Sequence, residues 1–432
     1  MTAAPTVPQQ PVGATEATRR SNVRAWIVTG LLVAFMMVNF ADKSVLGLAA
    51  DEIRADLNLS ATQFGLANSA FFLLFSVAAV VVGMLADRVS PKLLLLIMAL
   101  LWSVAQVPAA IGGGLAVLVA SRVFLGAAEG PAFPVAQQAS LSWFPNEKRN
   151  LPGALITVGV TLGVIVSAPT LSWVIQNHGW RAALWVLAVI GAVWCVAWVL
   201  FGADSPRARK TVAGAATADD APQVPYRRIF ASRTWIGATL AYLTSYWTVA
   251  LMLVWLPSYL RNALDYSAGT AGTVVVAPWA VGALVLFGQA ALTGRLMRRG
   301  VSSKRARGQV GGWIMAIGAA CCLAVPLTDS VVVQTVLISL GFGFGGSYAS
   351  VAATTVAELA PPARSGGALG LMNAIVTVGG LVAPAVVGAL VDAHGEAGYQ
   401  QSVLVSGVLI AVGAVLAFVL IDPERDRAQL AG

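Results

Sequence analysis

Twelve apolar stretches recur along the chain, at residues 25–49, 61–86, 92–112, 115–142, 150–175, 181–202, 234–260, 269–293, 308–327, 330–357, 366–391 and 399–421. A bilayer-crossing helix needs about 20 such residues. In hydrocarbon no water is at hand for a backbone amide, so a segment of this kind must satisfy its own hydrogen bonds as a helix. The expected fold is an all-α membrane protein with 12 transmembrane helices. Composition agrees: 58% of residues are hydrophobic and 11% charged, against about 25% charged in soluble domains.

The stretches fall into two sets of six. Residues 1–24, polar and rich in Pro, Thr and Ala, read as a disordered N-tail without a cleavable signal. Residues 25–202 form the first six-helix bundle, 203–233 a polar linker, 234–421 the second bundle and 422–432 a C-tail. The halves repeat. Pro145-x3-Arg149-x3-Gly153-Ala154-Leu155 is echoed by Pro361-x2-Arg364-x2-Gly367-Ala368-Leu369, and Pro169 by Pro384. Parallel repeats place a binding site between them, near the bilayer midplane. Such duplication is hard to explain in a single-site membrane enzyme.

Of the 27 Lys and Arg, only Arg54, Arg181 and Arg261 fall in the loops on one side, and Lys43 and Arg122 fall within helices. All others lie on the side of the termini. That bias puts both termini in the cytoplasm of a multi-pass inner or plasma membrane protein. The net charge of +8 then reflects topology and attraction to anionic lipid, not a nucleic-acid partner. Cys195, Cys321 and Cys322 sit in apolar segments, with no disulfide framework and no metal-ligand spacing. The chain offers no catalytic constellation, so an enzyme is not expected.

The charges inside the spans carry the functional reading. Arg122 and Glu129 are seven residues apart, two helical turns, and share a face. Asp42 and Lys43 stand side by side in the first span. A charge at membrane depth costs roughly a few kcal/mol or more unless it faces a protein interior or a wet cavity. The plainer alternatives are a structural ion pair for Arg122 and Glu129 and, for Lys43, snorkelling to the interface. Two acids and two bases make a neutral set. An anionic ligand adds a negative charge that protonation of Asp42 or Glu129 would offset. Burial favours a neutral carboxyl and a nearby cation favours the charged form. A carboxylate that yields its cation to an arriving anion therefore takes a proton more readily, a physical route to proton–anion symport.

Residues Ser121 to Arg149 also resemble a family pattern. R-x6-E-G-P-x-F-P followed by W-F-P-x3-R, carried by Arg122, Glu129, Pro131, Phe133, Pro134, Trp143, Phe144, Pro145 and Arg149, is similar to the fourth helix of anion:cation symporters in the major facilitator superfamily. Gly83-Met84-Leu85-Ala86-Asp87-Arg88-Val89-Ser90-Pro91-Lys92 resembles the loop after the second helix in that superfamily, whose Asp latches a gate; Asp87 and Arg88 are the implied gating pair. The equivalent loop of the second half has Gly294 where an Asp is expected. The resemblance implies proton coupling at Asp42 and Glu129, and anion binding at Arg122 and at Lys43, which stands where an Arg is usual. It implies a substrate contact at Asn373, and Ser347 and Tyr348, after the Gly341–Gly346 run, are further lining candidates. Tyr246, Trp247, Gln137 and Gln138 read equally as packing.

The expected function is secondary active, proton-coupled symport of a small organic anion, a carboxylate, by alternating access. The chain would act as a monomer in membrane lipid, with H+ as the coupled ion and no cofactor beyond the proton gradient. An exporter or proton antiporter of drugs or metabolites on the same fold is the alternative; Ser167-Ala168-Pro169-Thr170-Leu171-Ser172 lacks the glycines such antiporters carry in the fifth helix. Phe75 replaces the Tyr that sugar-acid carriers of the family tend to have. A ring without a hydroxyl donor points to a monocarboxylate with few hydroxyls.

Overall fold

The computed structural model describes residues 12–85, 89–144, 150–205 and 224–431. Twelve of its helices are long and apolar enough to cross a membrane: Asn22–Leu48, Ala61–Val82, Pro91–Ile111, Leu115–Leu141, Leu151–His178, Trp180–Phe201, Arg233–Val254, Ala268–Arg298, Lys304–Leu327, Val331–Leu359, Gly366–His394 and Glu396–Leu420. No strand occurs among the described residues. The first helix already begins at Val12, inside the segment expected to be a disordered tail. The expected linker contains a short helix, Tyr226–Phe230, whose Tyr226 ring lies 4.4 Å from the Arg364 guanidinium.

The repeat seen in the sequence has structural counterparts. The turns between the fifth and sixth spans and between the eleventh and twelfth each rest on a glycine in the left-handed region, Gly179 (φ 82) and Gly395 (φ 57), which lacks the Cβ that would clash there. Two spans are broken near mid-depth. The fourth divides into Leu115–Glu129 and Ala132–Leu141, because Pro131 has no N–H to continue the ladder. The tenth divides into Val331–Gly345 and Ala349–Leu359. Gly130 and Gly346, at the two breaks, occupy the same place in their halves.

The halves meet closely at one face. A Cβ added at Gly47 would lie 1.9 Å from the Leu253 carbonyl oxygen, and one at Gly65 2.2 Å from that of Pro384. Only glycine permits such backbone contact. Polar contacts reinforce it. Asp392 accepts from the Ala61 and Thr62 amides at 2.8 and 2.7 Å, and Arg261 pairs with Glu52 at 2.8 Å and Asp51 at 3.3 Å. Along the eleventh span the contact then ceases. A Cβ at Gly388 would meet the Ala61 oxygen at 2.3 Å and one at Gly380 the Phe72 ring at 2.7 Å, but at Gly370 and Gly366 it meets nothing within 4 Å. The halves are thus closed at the face of the 49–60 connection and diverge toward the face of the C-terminal helix, Pro423–Ala431.

Candidate functional site

Helical geometry sends adjacent charges in different directions. Successive residues are about 100° apart around a helix, so Asp42 and Lys43 leave the first span on different sides. Asn39, Phe40 and Lys43, at i−4, i−3 and i, share one face. The Lys43 ammonium stands 2.8 Å from Glu129 Oε2, with side chains only 7% and 0% exposed, and it also donates to Asn39 Oδ1. Three rings surround it: Phe40 at 4.7 Å, Phe75 at 5.7 Å and Phe71 at 5.8 Å. Rings at that range attract a cation. Lys43 therefore does not snorkel.

Glu129 reaches this place because its helix can approach the second span. A Cβ at Gly126 would lie 1.8 Å from the Phe71 oxygen, and one at Gly130 2.1 Å from that of Phe75. The small residues bring Glu129 and the rings of Phe71 and Phe75 to the same ammonium. Glu129 lies near the middle of its span and ends its half-helix. The second bundle contributes the facing wall. Trp279 meets Phe40 at 6.2 Å and Tyr246 meets Phe72 at 6.1 Å.

Asp42 and Arg122 form a second, wholly buried group, 1% and 2% exposed. Gln106 links them: Nε2 donates to Asp42 Oδ1 at 3.1 Å, and Oε1 accepts from Arg122 Nη2 at 3.3 Å. Asp42 Oδ2 and Arg122 Nε have no hydrogen-bond partner. Arg122 and Glu129 share a helix, yet each takes its partner from elsewhere.

The remaining expected residues are more dispersed. Phe75 belongs to the Lys43 cage. Asn373 is exposed on the eleventh span, where the halves diverge. Ser347 is buried and donates to the Phe344 oxygen at 2.8 Å; Tyr348 is fully buried with an unpartnered hydroxyl. No hydrogen bond, ion pair or ring contact among the described residues joins either to Lys43. Gln137 donates to the Gly153 oxygen at 3.0 Å and Trp247 to Ser406 Oγ at 3.1 Å, both within one bundle. Asp87, Arg88, Pro145 and Arg149 lie outside the described residues. The sequence reading missed Gln106, Asn39, Phe40, Phe71 and Trp279; a lone amide in the apolar third span was the available signal for Gln106. Among the described residues no group of three His, Cys, Asp or Glu could hold a metal ion.

The family model for the Major Facilitator Superfamily matches residues 31–356 and 343–432. The chain is similar to the probable sulfoacetate transporter SauU of Cupriavidus necator, 28% identical over 414 residues, covering 92% of this chain and 94% of the relative. It is also similar to a probable L-galactonate transporter of Escherichia coli, 26% identical over 437 residues, covering 97% and 95%. Among solved structures it resembles a bacterial homologue of the human lysosomal transporter Spinster, inward-facing and unoccupied, with a TM-score of 0.77 at 16% identity, covering 94% of this chain and 98% of that one.

Proposed function

This chain belongs to the Major Facilitator Superfamily, whose members are multi-pass membrane transporters rather than enzymes and need no cofactor, and on that premise we propose that it carries a small organic anion together with a proton by alternating access. The relatives named above bear the names of organic-acid transporters, which supports an anionic substrate. The observation that carries the coupling is the ion pair of Lys43 with Glu129, 2.8 Å apart at the face between the bundles.

The arriving anion competes with Glu129 for the ammonium. A carboxylate left without its cation in a buried place is favoured in its neutral form, so Glu129 takes up a proton as Lys43 takes up the anion. The site then moves with one added proton and one added anion, and its net charge is unchanged. Release reverses the exchange. Asp42 is the second coupling acid, tied through Gln106 to Arg122, whose positive charge acts on the same low-dielectric region. Asn373, Ser347 and Tyr348 are the second bundle's candidate contacts. Asp87 and Arg88 are the gating candidates. In this reading the termini lie in the cytoplasm of the cell membrane, and the face clamped by Asp392 lies outside.

Uptake of benzoate, propionate and gluconate into proteoliposomes, with and without an inward proton gradient, tests the reading. Accumulation of one of them that requires the gradient is expected. Accumulation unaffected by the gradient rejects proton coupling, and no uptake of any of the three rejects this substrate class.

A further inference from the structure

Asn39 is 1% exposed, and its Oδ1 accepts from the Lys43 ammonium one turn along the same helix. Its Nδ2 has no hydrogen-bond partner. A buried donor left unpaired is costly, and nothing in the packing of an apolar helix demands an amide there. The orphan sits on the same face as Lys43, beside the charge on which the proposed transport turns. An ammonium is a compact point charge; alone, it does not offer the two parallel donors that a planar carboxylate accepts.

We infer that Asn39 is the second half of the anion-recognition unit. Its Oδ1 holds Lys43 in place, and its Nδ2 donates to the second oxygen of the carboxylate that displaces Glu129. One charged and one neutral donor, presented from a single helical turn, thereby make the fork that an arginine carries in one side chain. Asn39 also remains an acceptor for the ammonium while Glu129 and the anion exchange places, so Lys43 keeps its position through the cycle. This rests on the reading of Lys43 as the anion contact and assigns to it the class of ligand: a carboxylate bound through both oxygens.

The test is a double-mutant comparison in proteoliposomes, using whichever of benzoate, propionate and gluconate the wild type concentrates. Asn39→Ala should raise KM roughly tenfold, the order expected for losing one hydrogen bond to a charged group, with Vmax little changed. In the Lys43→Arg background, where the guanidinium supplies both donors, the same substitution should raise KM about threefold or less. An equal loss in both backgrounds, or a fall in Vmax alone, makes Asn39 structural and overturns the inference. If the alanine variants elute as aggregates on size exclusion, near-isosteric Asn39→Leu replaces them: it keeps the volume and loses the donor without adding a charge beside Lys43, and the same difference between backgrounds is required. Wild-type protein that concentrates none of the three acids overturns the transport reading itself, and this inference with it, before any variant is compared.

Discussion

Lys43 Nζ lies 2.8 Å from Glu129 Oε2, and the two side chains come from different spans of the first bundle. Their separation is set by close packing rather than by sequence distance, because Gly126 and Gly130 let the fourth span touch the carbonyls of Phe71 and Phe75. Each partner is the other's main compensation for burial. Whatever displaces one must supply a charge to the other.

Glu129→Gln mimics the protonated acid. It should abolish accumulation driven by a proton gradient, because an amide side chain takes up no proton to couple to the anion. Exchange of labelled for unlabelled substrate should persist, because Lys43 stays free for the anion. Counterflow and gradient-driven uptake, measured on the same vesicles, separate the two. Undiminished concentration of substrate by the variant would remove Glu129 from the coupling step.

Gln106 holds Asp42 and Arg122 together. Gln106→Leu fills much the same space and leaves both charged groups without that partner. Each buried polar group so orphaned costs about 1–3 kcal/mol, so the variant should melt several degrees below wild type in detergent. Its transport should fall with the stability. A variant with wild-type melting and wild-type uptake would show that the two charges find other partners.

The spans were legible because hydropathy needs no tertiary information: a bilayer forces each apolar stretch into a helix, and the fourth span's break is written in Pro131. The break at Gly346 was not, since no proline marks it and a glycine run reads equally as close packing. Periodicity placed Arg122 and Glu129 on one helix face, and both are buried. It could not name their partners. Gln106 and Lys43 arrive from other helices, by a packing that depends on glycine contacts scattered over the chain. Asp392 was missed for the same reason, since its partners are backbone amides more than 300 residues away.

Asp392 caps the start of the second span from the end of the eleventh, accepting from Ala61 and Thr62. A carboxylate is favoured at a helix N-terminus, and this one ties the two halves together. Asp392 is exposed, so the effect should be modest and weaken with salt. Asp392→Ala should shift the population toward states open at that face. Spin labels at Gln63 and His394, both exposed, would report a longer mean distance in the variant than in wild type at low ionic strength, and a smaller difference at high salt. Identical distance distributions would show that the glycine contacts and the Arg261 ion pairs hold the face shut without Asp392.

Phe75 bears on what is carried. Its ring stands 5.7 Å from the Lys43 ammonium, and the neighbouring rings of Phe40 and Phe71 likewise offer no hydroxyl. A substrate hydroxyl buried against them without a partner costs about 1–3 kcal/mol, whereas an aromatic or short apolar carboxylate meets a complementary surface. Benzoate and propionate should therefore compete better than gluconate for the wild-type site. Phe75→Tyr adds a donor and acceptor beside the ammonium and should narrow that gap, by about fivefold or more for gluconate, in line with one hydrogen bond gained. Competition against a labelled substrate in both proteins checks it. Inhibition of the wild type by gluconate alone would reverse the assigned preference, and the same ranking in both proteins would show that Phe75 does not set it.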